Sequence, residues 1–150
     1  MERPLLRVKM LSQHAVLPAY QSDGAAGLDL AACLHDVPGK TMTIAPGDIV
    51  IVPTGIAAAI PLGFEGQVRA RSGLASKHGI TLPNSPGTID SDYRGEIKVP
   101  LINLGRKSFT LEHGQRIAQM VISAGAHVRV EPCEELDSTQ RGEGGFGSTG

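Results

Sequence analysis

The chain has 150 residues, enough for one domain with its own core. Its 14 Lys and Arg nearly cancel 15 Asp and Glu, a formal charge of −1, which excludes the strong basic excess of a nucleic-acid or membrane-surface protein. Any anionic ligand must therefore be met by a local cluster of positive groups.

In chain order, short β-rich runs alternate with turn signals. Strands are expected over Leu5–Leu11 and over Leu28–Ala32, which holds Asp29 among alternating apolar residues. A lone strand aspartate usually faces solvent. Pro38-Gly39 and Pro46-Gly47 then frame strands at Thr41–Ile44 and Asp48–Val52, followed by Gly55–Ile60, a Pro61-Leu-Gly63 turn and Gln67–Ala70. Arg71-Ser-Gly-Leu-Ala75 places a cation and a hydroxyl between a strand and the one helical stretch, Ser72–His78, with Gly79 as its stop. Helix N-termini offer amides and partial positive charge to anions, although Ser72 could equally be an ordinary N-cap. After Pro86-Gly87, the segment Gly87-Thr-Ile-Asp-Ser-Asp-Tyr-Arg-Gly-Glu96 reads as a β-hairpin with two aspartates and a ring at its tip. Asp92 is expected to serve the turn through its own backbone, and Asp90 to serve a function. Tyr93 stands out because it sits in a polar turn, in a chain with two Tyr, three Phe and no Trp.

Strands are expected again at Ile97–Leu104, bulged or at an edge because of Pro100, at Arg116–Ser123 and at Val128–Pro132. Gln115, Arg116 and Gln119 are the polar members entering the strand at 116. The pattern is all-β: a sandwich, jelly roll or barrel. Cys33 and Cys133 match neither a disulfide framework nor a zinc pattern. The five histidines (14, 35, 78, 113, 127) show no metal-binding spacing. Without a membrane-length apolar run or a leader-like N-terminus, a soluble cytoplasmic protein is expected.

The last ten residues, Arg141-Gly-Glu-Gly-Gly-Phe-Gly-Ser-Thr-Gly150, are half glycine yet hold a cation, a ring and two hydroxyls. Glycine loses the most backbone entropy on ordering, so such a segment orders only when a ligand returns that free energy. Arg141 suits phosphate, Ser148, Thr149 and the glycine amides are neutral donors, and Phe146 offers a face to a base. Composition alone also fits a disordered end. Gly142, Gly144 and Gly147 match a dinucleotide fingerprint, but neither the strand before it nor the helix after it is there. A domain over 1–140 with a mobile lid over 141–150 is expected.

These five segments, in content and order, resemble the motifs of the homotrimeric dUTPases from about Ala26 to Gly150. The resemblance implies a distorted jelly-roll or β-sandwich-like barrel with one short helix and a flexible Gly-rich tail. It implies hydrolysis of dUTP to dUMP and pyrophosphate with Mg²⁺, by attack of water on the α-phosphorus, which keeps dUTP low and supplies dUMP for thymidylate synthesis. In that reading Asp90 is the catalytic base, and Asp29 holds waters of a triphosphate-bound Mg²⁺. Arg71, Ser72 and Gly73 with Gln119 hold the phosphate chain, and Arg141, Gly147, Ser148 and Thr149 close over its γ end. Main chain from Asn84 through Gly87 to Thr88 pairs with uracil. Tyr93 packs on the deoxyribose and excludes a 2′-hydroxyl, and Phe146 covers the base. The resemblance also implies three sites shared between subunits, with the hairpin, the remaining motifs and the tail each coming from a different chain.

Two rivals share the scaffold. A dCTP deaminase would need its catalytic glutamate where Pro100 stands, and a nucleotide sensor would bind without turnover.

Overall fold

The structure, a computed structural model, describes residues 3–147. Its ten strands are β1 (Arg7–Met10), β2 (Leu28–Ala31), β3 (Thr41–Ile44), β4 (Ile49–Ala59), β5 (Phe64–Ala70), β6 (Ile80–Thr81), β7 (Gly87–Ile89), β8 (Glu96–Asn103), β9 (Phe109–Glu112) and β10 (Arg116–Ala124). One helix, α1 (Ser72–His78), lies between β5 and β6. One sheet has the order β1-β4-β8-β6 and a second β2-β10-β5-β7, with β3 and β9 forming a separate ribbon. Every pairing is antiparallel.

Period-two alternation builds the core. Along β8, Ile97, Val99 and Leu101 point inward, while Lys98 is exposed and Pro100 and Ile102 are half-buried. Leu28 and Leu30 of β2 face Met120 and Ala118 of β10 across their ladder, all four buried. With so few aromatics the interior is aliphatic, and Leu30, Ile44, Ile56, Leu101, Leu111 and Met120 are almost wholly enclosed. The result is an all-β, jelly-roll-like sandwich with one short helix. No helix among the described residues is long and apolar enough to cross a membrane.

The helix is bounded as its residues predict: Gly79 adopts the left-handed conformation at φ 71°, and its amide donates back to the Ala75 carbonyl. Several strands differ from expectation. The runs 48–52 and 55–60 are one strand, β4, because Gly55 at φ 68° makes an irregularity between Pro53 and Ala57 and not an end. The expected hairpin over 87–96 is a crossover: β7 pairs with β5 in one sheet, and β8 pairs with β4 and β6 in the other. Pro100 is accommodated on an inner strand, since β6 covers only Ile102 and Asn103 on that flank. Residues 128–132 form no strand and are exposed.

Candidate functional site

Two clefts that have no lining residue in common hold most of the site residues expected from the sequence. The first, about 280 Å³, is lined by Gly27, Asp29, Arg71, Ser72, Gly73, Arg116 and Gln119, with Gln21 and Ala25 at its mouth. The β2–β10 ladder sets Asp29 opposite Gln119, and the β10–β5 ladder sets Gln119 opposite Arg69, so three polar side chains form a row on the outer face of that sheet. Inward alternation of Leu28 and Leu30 forces Asp29 outward. There its carboxylate is far from a solvated strand residue, being only 14% exposed. Arg116 Nη1 donates to Asp29 Oδ2 at 3.0 Å, and Arg71 Nε lies 3.6 Å from Oδ1. Arg71 also donates to the Arg116 carbonyl at 3.1 Å.

Two guanidiniums on one carboxylate leave the cleft with net positive charge, the local cation cluster that a neutral chain requires. Arg71 itself is the helix N-cap residue, so Ser72 opens the first turn and its exposed hydroxyl is not used in capping. Gln119 Nε2 donates to the Ala70 carbonyl at 3.1 Å, which fixes the amide over the strand end. Gly27 has to be small here, because a Cβ would come within 2.7 Å of Gln119 Oε1. Arg116 was legible in the sequence only as a polar member of its strand. Its role becomes visible when β10 sets Arg116 across from Ala31, two residues beyond Asp29.

The second cleft, about 350 Å³, opens where β7 and β8 diverge into different sheets, and Asn84, Gly87, Thr88, Asp90 and Tyr93 all line it. Buried Val68, Leu82, Ile89 and Ile97 give it an apolar floor. The Gly87 backbone packs so close to Asn84 that a Cβ would lie 3.3 Å from its Nδ2. Asp90 follows the last residue of β7, and its carbonyl accepts from the Tyr93 amide at 3.2 Å, closing a turn with Ser91 and Asp92 at the tip. Asp92 lines neither cleft. The Asp90 carboxylate is exposed and makes no hydrogen bond or ion pair among the described residues, unlike that of Asp29. Tyr93 is 45% exposed, its hydroxyl donating to the Glu96 carbonyl at 2.9 Å. No group of three or more His, Cys, Asp or Glu suited to a metal ion occurs among the described residues.

Residues 141–147 of the tail line neither cleft. Arg141 donates to the Gly144 carbonyl at 2.7 Å, Phe146 is fully exposed at φ 49°, and Gly147 is exposed at φ 84°. Ser148 and Thr149 lie outside the described residues.

Known proteins with similar sequences and shapes agree on one identity. The sequence profile of the dUTPase family matches residues 13–150. The deoxyuridine 5′-triphosphate nucleotidohydrolase of Desulfotalea psychrophila is 59% identical over 134 residues, covering 89% of this chain and 87% of that protein. That of Syntrophotalea carbinolica is 55% identical over 145 residues, covering 97% and 96%. Among solved structures, a variant dUTPase of Staphylococcus bacteriophage 80alpha with dUpNHpp superposes at a TM-score of 0.83 and 28% identity, covering 97% of this chain and 98% of that one.

Proposed function

The chain belongs to the dUTPase family, and on that premise we propose that it hydrolyses dUTP to dUMP and pyrophosphate with Asp90 as the base. The oxygen of a water forms the new bond to the α-phosphorus. The bond from that phosphorus to the bridging oxygen breaks, pyrophosphate departs, and the water's proton passes to the Asp90 carboxylate. One observation carries this assignment. Of the two cleft aspartates, Asp29 is already engaged by Arg71 and Arg116, whereas the oxygens of Asp90 are free among the described residues.

An ordinary aspartate, with a pKa of about 3.9, is a weak base, and general base catalysis supplies roughly 10²- to 10⁴-fold. Positioning and charge neutralisation dominate phosphoryl transfer, so most of the rate falls to the cationic cleft. Arg71, Ser72, the Gly73 amide and Gln119 hold the phosphate chain, with Arg116 buttressing Arg71. Arg141, Gly147, Ser148 and Thr149 of the tail close over the γ end. Tyr93 packs on the deoxyribose and rejects a 2′-hydroxyl by clash. Main chain from Asn84 to Thr88 pairs with uracil, and Phe146 stacks over it, a contact worth about 1–3 kcal/mol.

A single carboxylate flanked by arginines is no dedicated metal cage. It would suit an ion such as Mg²⁺ that keeps much of its water, and Asp29 would be the residue to hold it through those waters. When bound, Mg²⁺ supplies neutralisation of phosphate charge.

The assembly we propose is a trimer with sites shared between chains. Half-sites that share no residue support it, as does an apolar face on the outer side of the first sheet. There Ile49 pairs with Ile102 and Ile51 with Pro100, and Ile49, Ile51 and Leu104 are 55, 62 and 68% exposed. Two further copies packed around a threefold axis would cover it. Free Cys33 and Cys133 suit the reducing cytoplasm. There the product dUMP would feed thymidylate synthesis while dUTP is kept low.

The test is pyrophosphate release from dUTP, UTP, dTTP and dCTP in parallel with Mg²⁺, with Asp90→Asn as control. Release from dUTP alone is expected, falling at least about 10²-fold in the variant while dUTP binding persists. Undiminished release by Asp90→Asn overturns the base assignment. Binding of dUTP without turnover in the unaltered protein would make this a sensor.

A further inference from the structure

Gly95 stands in the turn between Tyr93 and β8, and its φ lies outside the left-handed region that favours glycine. Backbone conformation therefore does not demand a glycine there, in contrast to Gly79. What demands it is the ring of Tyr93. A Cβ on residue 95 would collide with the Tyr93 hydroxyl oxygen and lie 2.7 Å from Cζ and 3.0 Å from Cε2. Those separations are well inside van der Waals contact, where carbon atoms rest at about 3.5–4.0 Å. The ring thus lies directly against the bare Cα of Gly95.

Two hydrogen-bonded links hold the ring and its loop in place. The Tyr93 hydroxyl reaches the Glu96 carbonyl at 2.9 Å, and Glu96 is itself anchored when its Oε1 accepts from the Gly55 amide at 3.0 Å. On the other side of the loop, Arg94 Nη1 donates to the carbonyls of Ser91 and Tyr93 at 2.7 and 2.8 Å. The rest of the loop is thus braced, and a methyl group at position 95 would be relieved by displacing the half-exposed ring, which lines the cleft.

We propose that Gly95 is a specificity-determining positioning residue: by offering no side chain, it sets how deep the Tyr93 ring sits and hence the space left at the sugar. The inference rests on Tyr93 being the sugar gate of a dUTP-hydrolysing site. A gate that works by clash is only as selective as its wall is fixed. A displaced ring crowds the deoxyribose of the correct substrate, and because its hydroxyl has lost Glu96 it also yields more readily to a ribose.

The experiment compares kcat/KM for dUTP and UTP in the unaltered protein, in Gly95→Ala and in Tyr93→Phe. Gly95→Ala is expected to narrow the dUTP:UTP ratio by about tenfold or more, the scale on which pockets resolve one small group. Tyr93→Phe keeps the ring and removes only its tether to Glu96, so it narrows the same ratio less. The chain has no Trp and only Tyr20 and Tyr93 as tyrosines, so near-UV circular dichroism of Gly95→Ala should change with no nucleotide present. If Gly95 merely serves the turn, the variant lowers stability or lowers both kcat/KM values equally. An unchanged ratio of that kind overturns the proposal. Failure of the unaltered protein to prefer dUTP over UTP is a different result, and it would sink the underlying reading of Tyr93 along with the inference.

Discussion

Asn103 is a wholly buried polar residue at the end of β8, and its side chain has no role in either cleft. Its amide nitrogen donates to the carbonyls of Ile44 and Lys107, each at 2.8 Å, and its oxygen accepts from the Gly105 amide at 2.8 Å. One side chain thus satisfies three main-chain groups that the surrounding turns cannot pair. Its own main chain also exchanges bonds with Asp48 and Gly47. Removing one member of such a network leaves the others desolvated and unpaired, at about 1–3 kcal/mol for each stranded group. Asn103→Ala is therefore expected to cost about 3 kcal/mol in urea unfolding. Asn103→Asp should cost at least as much, since a carboxylate would face the two carbonyls that the amide now serves. A loss below about 1 kcal/mol in both would show that water replaces the amide. The sequence offers no sign of this role, because Asn103 reads there as one more residue of an alternating strand.

Three loops that precede or follow site strands meet through histidines. His14 stacks on His35 with centroids 3.4 Å apart and planes at 15°, and His113 meets His35 edge-on at 5.8 Å. His113 Nδ1 accepts from the Leu34 amide at 3.0 Å, fixing the proton of the neutral ring on the other nitrogen. His35 is held below its ordinary 6.5, first by partial burial and then by His14, Lys40 and His113, with Asp36 opposing. A depressed folded-state value means that the unfolded chain takes up a proton the folded chain resists. The stability tied to His35 is present in full above about pH 6.5 and is lost as pH falls below it. The urea midpoint should therefore fall between pH 7 and 5, and His35→Gln should flatten that fall. An equal slope in the variant would remove His35 as its source. Spacing could not reveal this cluster, because 14, 35 and 113 belong to different elements. The same limit explains where the strands differ from expectation. Turn residues mark that β4 changes at Gly55, but a bulge and a strand end use the same glycine. The apolar residues around Asp90 mark strands, but not that β7 and β8 part into different sheets. What the sequence did show well rests on short-range physics: the alternation in β2, β8 and β10, and the helix ended by Gly79. Most of the cleft residues were legible as well, because Arg71–Gly73 and Gly87–Tyr93 each cluster within a few positions. Arg116 was not, since only the β2–β10 ladder brings it to Asp29.

At the scale of the molecule, the residues proposed for the site are divided among separate parts of one chain. The cationic cleft and the Tyr93 cleft share no lining residue, and neither includes Arg141 or Phe146. Among the described residues, the last strand ends at Ala124, and the chain beyond it is exposed through Glu143. An extended chain gains about 3.3 Å per residue, so the ten residues from 141 span roughly 30 Å, far enough to reach a neighbouring subunit. Shared sites make a prediction that self-contained ones do not. Asp90→Asn chains lack the proposed base but keep the tail, and chains lacking 141–150 keep that base but lack the proposed lid, so each alone should be nearly inactive. If the proposed shared-site trimer is right, refolding them together would give mixed trimers in which some sites take Asp90 from a truncated chain and the tail from a full-length one. With equal amounts and random assembly, about one site in four combines the two intact parts, so dUTP hydrolysis should return to roughly that fraction of the unaltered rate. If each chain completes its own site, no mixture recovers activity. The tail and Asp90 would then have to meet within one chain, and the exposed face of Ile49, Ile51 and Leu104 would need an occupant other than a partner that shares the chemistry.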